Sequence, residues 1–182
     1  VDVCRGAGSV AVRITEVEAY GGVGEDPGSH AYRGRTDRNG SMFETAGTLY
    51  AYWVYGRQSC LNVVTGSSGS AGAVLLRAGE VVSGVDIARS RRLTSKSDRD
   101  LARGPARLAV ALDVSRADDG LDLLDPSSQV RLRLPSVPAD HVVQTARTGV
   151  SGPGAVTPWR FHLPGERTVS PYRPATPRQR TA

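Results

Sequence analysis

A chain of 182 residues with 39% hydrophobic and 23% charged residues is long enough for one domain with a substantial core and short for two. The composition excludes a disordered or fibrous protein, and no apolar run approaches the roughly 18 residues of a membrane helix, so no membrane partner is expected. The net charge of +5 favours an acidic partner such as nucleic acid, but 22 of the 23 basic residues are arginine and only Lys96 is lysine, a bias that genome composition alone can produce.

The opening VDVCRGAG has no apolar stretch of the kind a secretory leader carries, and it does not begin with Met, so a short or missing native start is expected. A strand is predicted over 10–20. There RITEVEAY continues the alternation of Val10, Val12 and Ile14 into Glu16, Glu18 and Tyr20. A regular strand would set all six on one face, so two carboxylates and a tyrosine would follow the apolar residues inward. GGVGEDPGS reads as a loop, and HAYRGRTDRNGSMF as polar, Arg-rich and irregular. GTLYAYWVYGRQSCLNVVTG holds two β-rich runs, 48–55 and 59–65, around a turn centred on Gly56, the pattern of a hairpin. After the flexible GSSGSAG comes another strand, AVLLRAGEVV.

Helical signals follow. SGVDIARSRRL predicts a helix capped by Ser83 with Val85 and Ala88 about one turn apart, although Ile87 lies off that stripe. RGPARLAVALDVS puts Pro105 at the first helical position, with Leu108 and Leu112 one turn apart. Turns return in DDGLDLLDPSSQVRLRLPSVP, with a short strand alternating through Val130, Leu132 and Leu134. From Gly165 the chain is rich in Pro and Arg and reads as a frayed tail in preference to a dedicated DNA arm. Cys4 and Cys60 form no CxxC pair and the three histidines lie far apart, so reduced thiols are expected, with neither a zinc site nor a disulfide scaffold. The order of elements predicts a single mixed α+β domain.

Aromatic residues are scarce, at 5% of the chain, yet Tyr50, Tyr52, Trp53 and Tyr55 cluster in YAYWVYG. Such a cluster can pack a core or line a site. Both strand faces carry rings here, and Tyr55 sits at the turn, where a large ring is poorly placed for burial but well placed to wedge into a base stack. Beside them, Glu18 can be a salt-bridged structural carboxylate or a base that activates water. Burial against tyrosines would raise its pKa and an arginine such as Arg77 would lower it again.

RITEVEAY, SHAYRGRTDRN, MFETAGTLYAYWVYG, CLNVV, VLLRA and GPARL, in order and near the expected spacing over about residues 10–125, together resemble the alkyladenine (3-methyladenine) DNA glycosylase family. ARTGV and PWRFHL extend the match more weakly towards the C-terminus. The resemblance implies a curved antiparallel sheet with flanking helices and a protruding, DNA-inserting hairpin. It implies that Glu18 is the general base and that Arg77 helps hold the water and the carboxylate. Tyr20 and Tyr52 match rings that stack on the flipped base, with His30 on the other side of the pocket, and Asn62 matches a residue that clashes with the exocyclic amine of guanine. Tyr55 matches the residue that fills the gap left in the duplex. Arg33, Arg35, Arg38 and Arg147 are candidate contacts to the DNA backbone. Asp37, Gln58 and Ser59 depart from the family pattern, which bears on intercalation and substrate range.

The expected protein is therefore a monofunctional glycosylase of base excision repair. It takes alkylated or deaminated purines from double-stranded DNA with a Glu-activated water, as a monomer and without metal or organic cofactor. A lyase needs an amine, and the only lysine lies in the polar stretch LTSKSD, far in sequence from the motifs. Residues 1–165 would form the catalytic domain and 166–182 the tail, in the cytoplasm at a bacterial nucleoid or in a eukaryotic nucleus. Two alternatives stand beside it: a catalytically weak relative that binds lesions or structured RNA, and a family member specialised for bulky genotoxin adducts.

Overall fold

A computed structural model describes residues 2–5, 8–54, 56 and 58–175, with residues 2–5 described by backbone only. Its strands are β1 (Asp2–Arg5), β2 (Gly8–Tyr20), β3 (Leu49–Val54), β4 (Gln58–Val64), β5 (Ala73–Ser83), β6 (Val130–Arg131), β7 (Val143–Thr145) and β8 (Arg160–His162). They form one antiparallel sheet in the order β3-β4-β5-β2-β1-β6. The long β2 pairs with β5 along one edge. Its other edge is shared by β1, opposite residues 8–11, and β8, opposite residues 16–18, with β7 outside β8. Helices α1 (Val85–Arg91) and α2 (Pro105–Leu112) pack beside this sheet, so the fold is mixed α+β as the order of elements predicts.

Helix α2 begins with Pro105, whose fixed φ and missing N–H suit a first helical turn. It buries Leu108 and Leu112 against Leu49 and Leu61 of the hairpin and Leu76 and Val81 of β5. Each such leucine stabilises the fold by about 1.5–3 kcal/mol. Helix α1 starts one residue later than its predicted cap: Ser83 is the last residue of β5, and Gly84, at φ 72°, turns the chain into the helix. The predicted alternation over 130–134 shortens to the two residues of β6, because Leu132 packs against the core while Leu134 is 75% exposed.

The predicted single inward face of β2 is corrected. Val10 and Val12 enter the main core and Ile14 packs against it, but so does the odd-numbered Val17, while Tyr20 packs against a second cluster built on Met42, Phe43 and Tyr50. Between the two stretches the pairing with β5 is irregular: Ile14 faces Gly79, Glu16 faces Ala78 and Val17 faces Leu76. Such an irregularity changes which residues face which side. Gly79 permits the close approach there, since a side chain on it would run into the backbone of Arg13. Glu16 and Glu18 thus leave the core that the valines enter and are buried on the side of the second cluster.

Candidate active site

The β3–β4 hairpin carries most of one wall. Its register closes at Val54 opposite Gln58, and Gly56 in the turn takes φ 76°, a backbone conformation that glycine adopts without strain. Tyr50 and Tyr52 point to the second cluster, whereas Trp53, of the other parity, is 61% exposed. Tyr55 lies outside the described residues. Next to the tyrosines opens a cavity of about 660 Å³, a size suited to a small organic ligand or a base. Tyr20, His30, Tyr52, Asn62, Arg77 and Thr148 are among the residues that line it.

Glu18 is completely buried and lies one layer behind that lining. Three of the lining residues bond to it. The Tyr20 hydroxyl donates to Oε2 at 2.9 Å, the Thr148 backbone N–H donates to Oε1 at 2.6 Å, and Arg77 Nη1 stands 3.2 Å from Oε2. A carboxylate has about four acceptor sites, so these partners leave it room for one further donor. Burial, reinforced by Glu18, pushes the Tyr20 hydroxyl well above its ordinary pKa, so it stays a donor at neutral pH. Burial disfavours the Arg77 charge, but Glu18 and Glu16 outweigh it and the guanidinium is held more firmly protonated than usual. The Thr148 hydroxyl, in the same wall, is buried and has no hydrogen-bond partner among the described residues.

His30 stands against Tyr52 rather than across the cavity from it: the ring centroids are 4.6 Å apart, edge to face. Its Nδ1 is 2.9 Å from the Tyr50 hydroxyl, which fixes the two rings as one wall. Burial and then the charge of Arg38 lower the His30 pKa, so the imidazole is neutral at physiological pH and does not repel a cationic ligand. Asn62 sits opposite both Tyr50 on β3 and Leu75 on β5, and its side-chain amide donates to the Tyr50 carbonyl at 3.0 Å. Cys60 also lines the cavity, but burial pushes its thiol up to about 11, which keeps it protonated and unreactive.

Arg147 does not stand on the surface as a phosphate contact. Its side chain is buried, with both terminal nitrogens donating to Asp26 at 2.5 and 2.7 Å, and its guanidinium lies 4.6 Å from the Tyr20 ring centroid and 5.3 Å from that of Trp159. It also donates to the carbonyl of Ala19 and so holds the Thr148 loop against the end of β2. The other three candidate arginines, Arg33, Arg35 and Arg38, are exposed on the loop that carries His30, and Arg35 pairs with Glu44 at 3.1 Å. Buried Asn39 ties that loop together, bonding the carbonyls of His30 and Gly34 and the backbone of Thr36.

Several of these residues have no role assigned from the sequence. Asp26, Asn39 and Thr148 look like loop polar residues, and Thr168 and Ser170 fall in a stretch whose composition suggests a tail, yet both are buried. Arg173 reaches the rim of the cavity, where its carbonyl accepts the Gly149 N–H at 3.1 Å. Only long-range contacts reveal them. Among the described residues no group of histidine, cysteine and carboxylate side chains could hold a metal ion, and no helix is long and apolar enough to cross a membrane.

Residues 2–167 match the family model described as methylpurine-DNA glycosylase. The chain is 54% identical over 175 residues to a protein of Streptomyces avermitilis, covering 95% of this chain and 82% of that relative. It is 52% identical over 172 residues to one of Nocardia farcinica, covering 92% and 81%, and 54% identical over 172 residues to one of Leifsonia xyli subsp. xyli, covering 91% and 79%. All three carry, provisionally, the name 3-methyladenine DNA glycosylase.

Proposed function

The chain belongs to the methylpurine-DNA glycosylase family, and from that premise we propose that it hydrolyses the N-glycosidic bond of alkylated or deaminated purines flipped out of duplex DNA. The observation that carries this reading is the buried Glu18, bonded by Tyr20, Arg77 and the Thr148 N–H at the back of a base-sized cavity. A base inside a duplex is out of reach of any such carboxylate, so the nucleotide must leave the stack, most easily where damage weakens pairing. Tyr20 and the His30–Tyr52 wall receive the base, and Asn62 selects against the exocyclic amine of guanine. Exposed Arg33, Arg35 and Arg38, and Arg173 at the rim, meet the backbone. Tyr55, outside the described residues, takes the space vacated in the stack.

In the reaction, Glu18 accepts a proton from water as the water oxygen bonds to the anomeric carbon. The carbon–nitrogen bond breaks and its electron pair leaves with the purine, a deaminated purine taking up a proton from water as it departs, to give a free base and an abasic sugar. A purine alkylated on a ring nitrogen is cationic. It leaves as a neutral molecule, and before leaving it gains from the electron-rich faces of the tyrosines. Side chains and water suffice for this step. The catalytic unit extends past residue 165, since Thr168 and Ser170 are buried in it, and acts as a monomer because one hairpin serves one lesion. The bacterial relatives support a cytoplasmic site of action.

Lys96, the only lysine, is exposed and lines a separate cavity beside Arg89 and Arg92. No lysine amine therefore stands in the site to form a Schiff base. Duplexes with a single hypoxanthine, ethenoadenine, 3-methyladenine or 7-methylguanine test both parts of the proposal. Strands should remain whole after incubation with the protein and break at the lesion only after alkali. Breakage before alkali contradicts the monofunctional assignment, and binding without alkali-sensitive sites on every substrate favours a lesion-binding relative.

A further inference from the structure

Glu16 is as buried as Glu18, at 1% exposure, and two residues away on β2, yet the reaction above gives it no part. Its surroundings differ in kind. Oε1 accepts from Arg77 Nε at 2.8 Å, from Arg160 Nε at 2.7 Å and from the Ser170 hydroxyl at 2.9 Å, and Oε2 accepts the Ser170 N–H at 2.6 Å. Four donors, three of them on Oε1, hold Glu16, one more than meet Glu18. Burial opposes its charge, but Arg77, Ser170 and Arg160 prevail and hold the carboxyl below its ordinary value.

Arg77 is the link between the two carboxylates. A guanidinium prefers to meet a carboxylate with two parallel N–H groups, and a lone Glu18 beside it would invite that pairing. In this structure Arg77 gives Nε to Glu16 at 2.8 Å and only Nη1 to Glu18, at 3.2 Å, with Nη2 3.4 Å from the Ser170 hydroxyl. Arg160 completes the frame by donating to the Ser170 carbonyl at 3.0 Å and to the Thr145 hydroxyl at 3.0 Å. Ser170 lies beyond the family match at residues 2–167, so this frame is built partly from the chain's own C-terminal segment.

We propose that Glu16, anchored by Ser170, is a positioning residue that draws Arg77 away from a two-pronged grip on Glu18 and so keeps one acceptor site of Glu18 open for the water. The inference rests on Glu18 being the base. The other titratable groups facing the pair are Tyr20 from β2, Cys60 from β4, Arg160 and His162 from β8, and Arg147 from the loop before Thr148. With Glu16 neutralised, Arg77 is free to turn two N–H groups to Glu18.

The test measures single-turnover base release and lesion-duplex affinity of Glu16→Gln, Ser170→Ala and Glu18→Gln. Glu16→Gln is expected to release base about 100-fold more slowly, as misplacement of a catalytic group does, while lesion-duplex affinity is kept. Ser170→Ala, which retains the backbone N–H to Glu16, is expected to stay folded and to be several-fold slower. A folded Glu16→Gln that works at the wild-type rate, or loses lesion affinity as far as it loses rate, overturns the proposal. If Glu16→Gln does not fold, Ser170→Ala decides, and a wild-type rate there overturns it. Should Glu18→Gln itself be fully active, the base assignment is what falls. Should Glu18→Gln be inactive while Glu16→Gln and Ser170→Ala match the wild type, only the positioning role falls.

Discussion

Glu18→Gln is expected to bind lesion-bearing duplex as the wild type does and to release base at least about 100-fold more slowly, since loss of a general base costs roughly 10²–10⁴-fold. The amide is the same size but differs in two ways. It cannot take a proton from water at neutral pH, and it presents an N–H₂ where a carboxylate oxygen accepted. All three partners of Glu18, the Tyr20 hydroxyl, the Arg77 guanidinium and the Thr148 N–H, are donors. At least one donor then faces another donor inside a dry site, where unmade bonds are costly. His30, Tyr52 and Asn62, which receive the base in this account, are untouched, so affinity should survive. Single-turnover release with protein in excess separates the two quantities. A variant within a few-fold of the wild-type rate would remove Glu18 from the chemistry.

The largest effect on stability is expected from Asp26→Asn. Asp26 and Arg147 form a buried, two-pronged ion pair, and Asp26 also accepts the backbone N–H groups of Gly21 and Gly28. Removing one partner leaves the Arg147 charge buried and unpaired, a change that costs about 3–5 kcal/mol. For a domain of this length that lowers the melting temperature by roughly 6–20 °C. Glu44→Ala, which breaks only the exposed pair with Arg35, should leave it where it is. Burial opposes the charge of Asp26, but Arg147 and the two N–H groups hold its carboxyl below its ordinary value. A carboxyl with a lowered folded-state pKa contributes stability that is complete above its unfolded value, near about 3.9, and is lost as pH falls through the folded value. Wild-type stability should therefore fall more steeply in acid than that of Asp26→Asn. Calorimetry at a series of pH values checks both parts, and equal melting temperatures for the two proteins would contradict the structural role given to the pair.

The parts of this fold that follow short-range rules are legible in the chain. Alternation marks β2, Gly56 between two β-rich runs marks the hairpin, and Pro105 with leucines one turn apart marks α2. The roles assigned to Glu18, Arg77 and the pocket aromatics came from a resemblance, and their convergence on one cavity is a fact of three-dimensional placement. What local rules miss is decided at long range. Arg147 looks like any loop arginine until Asp26, 121 residues away, buries it. The segment around Ser170 looks like a tail because its composition is polar and Pro-rich, but its hydroxyl and N–H are spent on Glu16, 154 residues earlier. Parity groups Glu16, Glu18 and Tyr20 but wrongly joins them to the face of Val10, Val12 and Ile14, because the irregular pairing near Gly79 leaves no mark that a single strand can show.

Cutting of the bond between a damaged purine and its sugar leaves two products, an abasic strand and a free base. The direct measurement is chromatography and mass spectrometry of the small molecules set free when excess protein meets duplex DNA treated with a methylating agent. Free 3-methyladenine is expected to accumulate to a plateau set by the lesions present, with the strands still whole. Tight binding of the methylated duplex without any free base would contradict it.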